Sequence, residues 1–201
     1  MAESEATQTT PVVEQYAKVA VGDIGTQLFC YNKEKDKFEY ALPVTAGAEF
    51  GGDTESFEAP ETDSDVVSKL VGRTTPNDVQ YTINYTATKY ERVLALSDNI
   101  NTKTYMEVLS DGSAMIFDGT SGTPTITAGD VRQITWTIAP SAMAFVSDIY
   151  DLTDNDIGRL SKIVNTVYTA PSTGAKTINI DTTTIPTARQ DYHTRHTKTL
   201  S

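Results

Sequence analysis

The stretch "MEVLSDGSAMIFDGTSGTPTITAGDVRQITWTIAP", residues 106–140, decides the fold class. Two short apolar runs flank Asp111-Gly112, and a loop of small residues follows them. An Asp-Gly pair suits the positive φ angles of a type I′ turn. The pattern therefore predicts a β-hairpin whose strands span residues 104–110 and 113–119.

The third apolar run of this stretch alternates strictly between apolar and polar residues. Ile134, Trp136 and Ile138 fall on one side and threonines on the other, which is typical of a strand with one buried face. Pro140 cannot donate to a ladder and is expected to end the strand. The predicted core residues of the unit are Val108, Ile116, Ile134, Trp136 and Ile138, with Met106 beside them.

Composition extends the β prediction to the whole chain. The 201 residues are 38% hydrophobic and 21% charged and include 32 threonines, which suit a pleated, half-buried surface. One mainly β domain with arms is expected. Strands are predicted at 16–23, 26–32, 38–44 and 79–87, helices at 63–72 and 89–99, and a weak strand at 176–181; residues 151–170 fit either a helix capped near Thr153 or Asp154 or a strand.

The predicted domain organisation has three parts. Residues 1–15 form an N-terminal arm, residues 16–170 the β domain, and residues 171–201 a C-terminal arm or extension. An acidic extended loop interrupts the domain at residues 46–61, although the sequence ESFEAPE within it could also pair as an edge strand.

The net charge of -11 is concentrated near the start of the chain. Residues 1–65 hold 14 acidic and 4 basic residues, a net charge of -10. A protein that reads DNA sequence needs a basic patch to neutralise phosphates, so this class is disfavoured. No signal peptide and no run of 18 apolar residues is evident, which predicts synthesis and residence in a cytoplasm.

Candidate metal ligands are sparse. His193 and His196, with Asp191 nearby, have the spacing of two ligands on one face, but no third ligand lies on a rigid element, so a solvated tail is favoured. A second acidic group resembles a calcium loop but lacks its spacing, central glycine and terminal glutamate, so helix capping is favoured. Its members are Asp151, Asp154 and Asp156.

Candidate catalytic groups are equally few. Cys30 lies in an apolar run without an activating histidine and is expected to be a packed residue. Gly51-Gly52 and the run 119–122 lack the lysine and the strand-helix context of a phosphate-binding loop. With both histidines in the tail, a Ser/His/Asp triad is disfavoured. We therefore expect no enzyme activity, cofactor or metal.

Residues 63–140 resemble the major tail protein, or tail tube protein, of long non-contractile-tailed bacteriophages, particularly those of Gram-positive hosts. Three features carry the resemblance: an acidic entry and short helix ending at Gly72-Arg73, the strand 79–87 leading into a helix at 89–98, and the Asp111-Gly112 hairpin followed by a strand closing in TWTIAP. The resemblance covers about 80 of the 201 residues and is a pattern of elements rather than a catalytic signature.

The resemblance implies a β-sandwich or half-open barrel with one or two short flanking helices. It further implies a structural virion protein of the tail, assembled in the host cytoplasm, whose hexameric rings stack into a tube. The implied partners are further copies of the chain, a tape-measure protein, tail terminator and baseplate or distal tail proteins, and duplex DNA that passes through the lumen without specific binding. No membrane contact is implied.

The predicted contacts between subunits are a charged turn and the acidic loop. The candidates are Lys33, Lys35, Asp36, Lys37, Glu49, Asp53, Glu55, Glu58 and Glu61. The alternative function is a β-sandwich binding module that recognises carbohydrate or a surface receptor, which exposed aromatic residues clustered on one loop would favour.

Overall fold

A computed structural model of the protein describes residues 26–44, 48–59, 68–129, 131–161, 163 and 177–186, of which residues 54–59 and 68–74 are described as backbone alone. The elements of this part of the chain are the strands β1 (Gln27–Asn32), β2 (Lys37–Pro43), β3 (Gly52–Ala59), β4 (Ser68–Pro76), β5 (Val79–Asn84), β6 (Asp98–Val108), β7 (Ala114–Ser121), β8 (Thr125–Thr127), β9 (Gln133–Val146) and β10 (Ile180–Asp181), the helices α1 (Ala87–Leu96) and α2 (Asp154–Leu160), and a 3₁₀ turn (Thr182–Thr184). The prediction of a mainly β fold with two short helices is confirmed.

Eight strands form one sheet that curls into a half-barrel. The order is β10-β2-β1-β6-β7-β9-β5, with β8 paired to β9, and neighbours are antiparallel except for the short β10-β2 pair. The curl brings non-neighbouring strands together, because the Tyr81 hydroxyl of β5 donates to Glu107 of β6, three strands away in the sheet order. β3 and β4 pair with each other in a separate two-stranded sheet.

The concave face of the half-barrel holds one core cluster, and α1 covers part of it. Trp136 lies within 5.6 Å of Tyr105 and 6.4 Å of Tyr81 between ring centroids, in edge-to-face and tilted arrangements. Thr86 caps the helix by accepting a hydrogen bond from the Lys89 N–H, and Val93 is its buried residue. Leu94 of the same helix is 47% exposed.

The convex face holds a second cluster, which α2 and the chain after residue 177 cover. Met106, Val108 and Ile116 point to this face. The residues of the 106–140 unit therefore do not share one core, because Ile134, Trp136 and Ile138 lie in the concave cluster. β9 keeps the predicted alternation, with Ile134, Trp136 and Ile138 buried and its threonines only half-buried, whereas β6 and β7 at the centre of the sheet are buried on both faces.

The Asp111-Gly112 hairpin is present, but its turn has three residues rather than two. The Leu109 N–H donates to Ser113 O at 2.8 Å, which extends the ladder by one pair, and the Gly112 N–H donates to Leu109 O at 3.2 Å. Gly112 has φ 89 while Asp111 does not have a positive φ. This is a turn followed by a left-handed glycine rather than a type I′ turn. Asp111 Oδ1 instead accepts from the Ser113 N–H at 2.9 Å.

Pro140 does not end its strand, because β9 continues to Val146. The register of β7 with β9 shifts between Asp118 and Gly119, so that Gly119 lies opposite Pro140 and Asp118 opposite Ala142. A β-bulge is one of the places where a sheet accepts proline. β5 pairs with β9 only up to Ile138, so the proline also lies beyond the end of that neighbour.

The predicted helix at 63–72 is wrong where the structure describes it, because residues 68–76 form β4. Gly72, expected to end a helix, lies with Arg73 at a register shift opposite Glu55. An isolated glycine in a strand often indicates such a bulge. Residues 63–67 lie outside the described residues.

The acidic loop contains the edge strand that its sequence also allowed, since β3 spans residues 52–59. The helix alternative for residues 151–170 is confirmed at 154–160, with Thr153 as its cap. The weak strand at 176–181 shortens to β10, and Ile178 and Ile185 of this region are buried in the convex cluster. The predicted strand at 16–23, the arm at 1–15 and most of residues 164–201 lie outside the described residues.

Candidate assembly surface

Glu107 fixes the inside of the half-barrel. Its side chain is 1% exposed, and its carboxylate accepts hydrogen bonds from the Tyr81 hydroxyl at 2.7 Å and the Ala48 N–H at 3.3 Å. Burial first, and then the nearby charge of Glu107, raise the pKa of Tyr81 well above its usual value, so Tyr81 stays a donor. Because Ala48 directly precedes the acidic residues of segment 49–61, this carboxylate also anchors the start of that segment.

Asp156 organises the N-terminus of α2. Its carboxylate, 1% exposed, accepts from Thr153, from the Ser147 hydroxyl at 2.8 Å and from Arg159 at 3.2 Å. Burial raises its pKa, but the hydrogen bonds from Thr153 and Ser147 outweigh burial and the net pKa is lowered. The capping role favoured over a calcium loop is confirmed, since Thr153 and Asp156 form a capping box.

Asp118 is a buried carboxylate, and only one of its two oxygens has a hydrogen-bond partner among the described residues. Thr104 Oγ1 donates to Asp118 Oδ1 at 2.5 Å, whereas Oδ2 has no partner among the described residues. Burial raises the pKa of Asp118 to about 6. Since the side chain is fully buried, it offers no surface to a substrate.

Cys30 is half-buried, and burial raises the pKa of its thiol to about 11. A nucleophilic or metal-binding cysteine needs a lowered pKa, so this environment opposes reactivity. Within the described part of the chain, no three His, Cys, Asp or Glu side chains come together as a metal site. His193, His196 and Asp191 lie outside it.

The charged turn between β1 and β2 is ordered by its own side chains. Asp36 has φ 51, and its carboxylate accepts from the Tyr31 hydroxyl at 2.5 Å. Lys35 forms an ion pair with Glu39 at 2.6 Å, which raises the pKa of Lys35 and lowers that of Glu39. Lys33 is exposed and Lys37 half-buried. The turn therefore presents a fixed shape to solvent.

The acidic segment lies apart from this turn. Glu49 and Asp53 are exposed, Glu55 and Glu58 are backbone positions of β3, and Glu61 lies outside the described residues. Glu49 and Phe50 line a groove of about 390 Å³ together with Glu107 and Leu109. Among the side chains that the structure describes, Glu49 and Asp53 of the acidic set share no hydrogen bond or ion pair with the charged turn.

A cleft between α1 and strands β1, β2 and β6 was not foreseen from the sequence. We call it the cationic cleft; it measures about 540 Å³ and its basic residues are Lys33, Arg92 and Lys103. Arg92 donates to Tyr40 O at 2.5 Å with its guanidinium 5.9 Å from the Tyr40 ring centroid, and Lys103 donates to Leu96 O at 2.8 Å. The helical periodicity of 89–99 put Arg92 on the outer face, and nothing in that pattern pointed to Lys103, which comes from another element.

Neither Arg92 nor Lys103 forms an ion pair with any described residue. Glu34 and Glu39 also line the cleft, but Glu39 is already paired with Lys35. The cleft therefore carries excess positive charge in a chain whose net charge is -11.

No helix within the described ranges has the length and apolar character needed to cross a membrane.

No protein-family model matches the chain, and no curated protein matches it. Among solved structures, one similar chain belongs to the cryo-EM structure of the anti-feeding prophage (AFP) baseplate, 6-fold symmetrised. The two chains are 10% identical, and the alignment covers 64% of this chain and 94% of that chain with a TM-score of 0.43. A likeness at this score carries no argument about function.

Proposed function

We propose that this protein is a non-enzymatic structural subunit of a phage tail, whose copies form hexameric rings that stack into the tail tube. DNA would pass through the tube to the host, and the tape-measure, terminator and baseplate proteins would be its other partners. The proposal rests on two features of the resemblance to tail tube proteins that the structure retains, the strand β5 leading into α1 and the Asp111-Gly112 hairpin, since β4 replaces the third, the helix at 63–72. It rests further on one structural observation, the β3–β4 hairpin.

The hairpin needs a partner beyond its own two strands. β3 and β4 span 8 and 9 residues and pair with each other; β4 also contacts β9, but neither strand is hydrogen-bonded to the half-barrel among the described residues. An isolated two-stranded hairpin is only marginally stable in water. Contact with another subunit would cover it, which is the arrangement expected of a chain that functions by assembly.

The edges of the half-barrel support the same proposal. Among the described strands, β5 pairs only with β9, and β10 pairs only with β2. Each edge leaves a row of backbone donors and acceptors that another chain can use, and edges of this kind are hazards for a protein that stays monomeric. Subunits joined head to tail close into a ring when the rotation between them closes.

The charge of the chain fits passage of DNA rather than binding. A net charge of -11 disfavours adhesion of phosphates to the protein. Inside the subunit, the buried carboxylates Glu107 and Asp156 are engaged in structural hydrogen bonds, and the Cys30 thiol has a raised pKa.

Negative-stain electron microscopy of the purified chain at high concentration tests the proposal. We expect rings or tubes with a central hole. A monodisperse monomer at every concentration, by microscopy and by sedimentation, would overturn it.

A hairpin-truncated variant tests the structural observation separately. Replacing residues 54–74 with Asn-Gly joins Asp53 to Thr75, which face each other in the hairpin, and keeps the hydrogen bond between the Asn77 N–H and Gly51 O at 3.0 Å. We expect a folded monomer with wild-type circular dichroism and no tubes. Tubes formed as readily as by wild type would remove the hairpin from the assembly.

A further inference from the structure

We infer that the cationic cleft of one subunit receives the carboxylates of the acidic segment 49–61 of a second copy. The inference rests on the proposed function and specifies the contact that it requires. It joins Lys33, Arg92 and Lys103 to an acidic segment whose described start lies beside Glu107 and Leu109, outside the cleft.

The acidic segment and the cationic cleft have complementary charges. Segment 49–61 contains five acidic residues and no Lys or Arg, and of these Glu49 and Asp53 are exposed. The cleft has three basic residues against two acidic ones, and one of the acidic residues, Glu39, is already neutralised by Lys35. Arg92 and Lys103 use their described hydrogen bonds on main-chain oxygens and form no ion pair with a described residue, although the charge of Lys103 also interacts with Asp98.

The positions of the two partners favour a neighbouring copy over the same chain. The acidic segment begins beside Glu107 and Leu109, at one end of β6, because the Ala48 N–H is bonded to Glu107 and Phe50 packs against Phe117 at 5.6 Å between ring centroids. Lys103 lies four residues earlier, about 13 Å along the strand. A segment leaving one end and a receptor at the other make a head-to-tail contact, the kind that generates rings and filaments.

The shape of the cleft suits an extended acidic segment. Its volume of about 540 Å³ lies between helix α1 and the β1–β2 hairpin, whose turn is fixed by Tyr31 and Asp36. Arg92 is held by Tyr40, so its guanidinium is already oriented before a partner arrives. A pre-organised guanidinium loses little conformational entropy on binding a carboxylate.

Charge reversal in the cleft gives the first test. Lys33→Glu leaves the fold intact because Lys33 is exposed, and Arg92→Glu removes the central cation. Each variant should raise the concentration needed for half-maximal assembly about tenfold or more, and combining Arg92→Glu with Glu55→Lys in the same chain should restore part of it. The matched control is Lys89→Glu on the same helix, which does not line the cleft and should assemble as wild type.

Thermal unfolding of each variant separates loss of the contact from loss of the fold. Folded Lys33→Glu and Arg92→Glu proteins that assemble like the Lys89→Glu control would overturn the inference. Assembly of wild type should also weaken as salt is raised, because part of the contact is exposed to solvent.

Site-specific cross-linking gives the second test. In a Cys30→Ser background, one preparation carries Lys33→Cys and another carries Glu55→Cys; the two are mixed and oxidised with copper-phenanthroline. The Glu55→Cys preparation carries a fusion tag that raises its mass, so we expect on a non-reducing gel a disulfide-linked heterodimer whose mass lies between those of the two homodimers. A preparation carrying Asp151→Cys, an exposed site outside the cleft, replaces Lys33→Cys as the control.

The outcomes distinguish the two proposals. Tubes without a heterodimer above the Asp151→Cys control would overturn the cleft contact and leave the tube function standing. A heterodimer without tubes would support the contact and count against the tube.

Discussion

Asp118→Asn should change the pH dependence of stability in a direction that is unusual for an aspartate. Burial raises the pKa of Asp118 from 3.8 to about 6 in the folded protein. On raising the pH, the unfolded chain loses this proton first, so folding becomes less favourable between about pH 4 and pH 6 and then stays level. The usual buried or paired aspartate, with a lowered pKa, stabilises the fold over the same range.

The magnitude follows from the two pKa values. Relative to acid pH, where Asp118 is protonated in both states, its ionisation lowers the free energy of unfolding by about 1 kcal/mol at pH 4.5 and about 3 kcal/mol at pH 7. Between these two pH values the carboxyl therefore removes about 2 kcal/mol of stability. Asn cannot ionise, so Asp118→Asn should gain about 2 kcal/mol on wild type over that range. For a chain of this size that corresponds to about 4–8 °C in Tm.

Urea unfolding at pH 4.5 and pH 7 measures this difference, with fluorescence of Trp136, the one tryptophan of the chain, as the signal. The hairpin-truncated variant serves as background so that assembly does not contribute. Thr104→Val should steepen the pH dependence, because the hydrogen bond from Thr104 favours the charged form of Asp118. Asp98→Asn is the control, since the pKa of Asp98 is lowered to about 2 by bonds from Asn101 and Ile100, and the residue titrates below the range tested.

A difference between Asp118→Asn and wild type that is the same at pH 4.5 and pH 7 would refute the reasoning. A rise in wild-type stability from pH 4.5 to pH 7 that equals the rise in the Asp118→Asn variant would also refute it. Either result would mean that water or another chain segment solvates the carboxylate.

Two further predictions use the same unfolding assay. Gly119→Ala should lower the free energy of unfolding by about 1–3 kcal/mol, because a Cβ there would lie 2.7 Å from Ile138 Cγ2 and 2.9 Å from Ala139 O. Gly158→Ala, where a Cβ would have nothing within 4 Å, should raise it by about 0.5–1 kcal/mol. Equal effects of the two changes would contradict the bulge geometry. Asp156→Ala should cost about 2–3 kcal/mol, because it removes the half of the capping box that Asp156 supplies and leaves the donors of Thr153 and Ser147 unpaired. An unchanged unfolding curve would mean that the Asp156 side chain does not stabilise the fold.

The sequence predicted the elements whose pattern is local and strong. Alternation of Ile134, Trp136 and Ile138 predicted the strand and its buried side, and Thr153 predicted the start of α2. Such signals depend on one face of one element, so they do not change with the pairing of distant segments. The prediction of a mainly β fold is confirmed for the same reason, whereas the half-open barrel, implied beside a β-sandwich, came from the resemblance to tail tube proteins.

The errors arose where the deciding interaction is distant in sequence. The short apolar run that ends at Leu70 and Val71 fits a helical stripe as well as a strand, and it became β4 because residues 52–59 pair with it. Pro140 lies inside β9 because Gly119, about twenty residues earlier, forms the other side of a bulge. Neither partner can be identified from the local pattern.

The cationic cleft was beyond local prediction for a related reason. Its basic residues come from the β1–β2 turn, from α1 and from β6, and only the fold brings Lys33, Arg92 and Lys103 to one opening. The acidic segment, in contrast, was visible in the sequence as a run of carboxylates without a compensating base. The acidic side of the proposed contact could therefore be predicted from the sequence, whereas the basic side was found only in the structure.

Glu107 connects the shape of the half-barrel to the position of the acidic segment. Its carboxylate ties Tyr81 of β5 to β6 across the concave face, and it also accepts from the Ala48 N–H where the segment begins. The same buried carboxylate therefore contacts both β5 across the concave face and the start of the segment. Because the cleft lies further along the same strand, the separation between donor segment and receptor is set by β6 itself. Copies joined through this contact would therefore repeat with a spacing that the fold determines, as a tube of stacked rings requires.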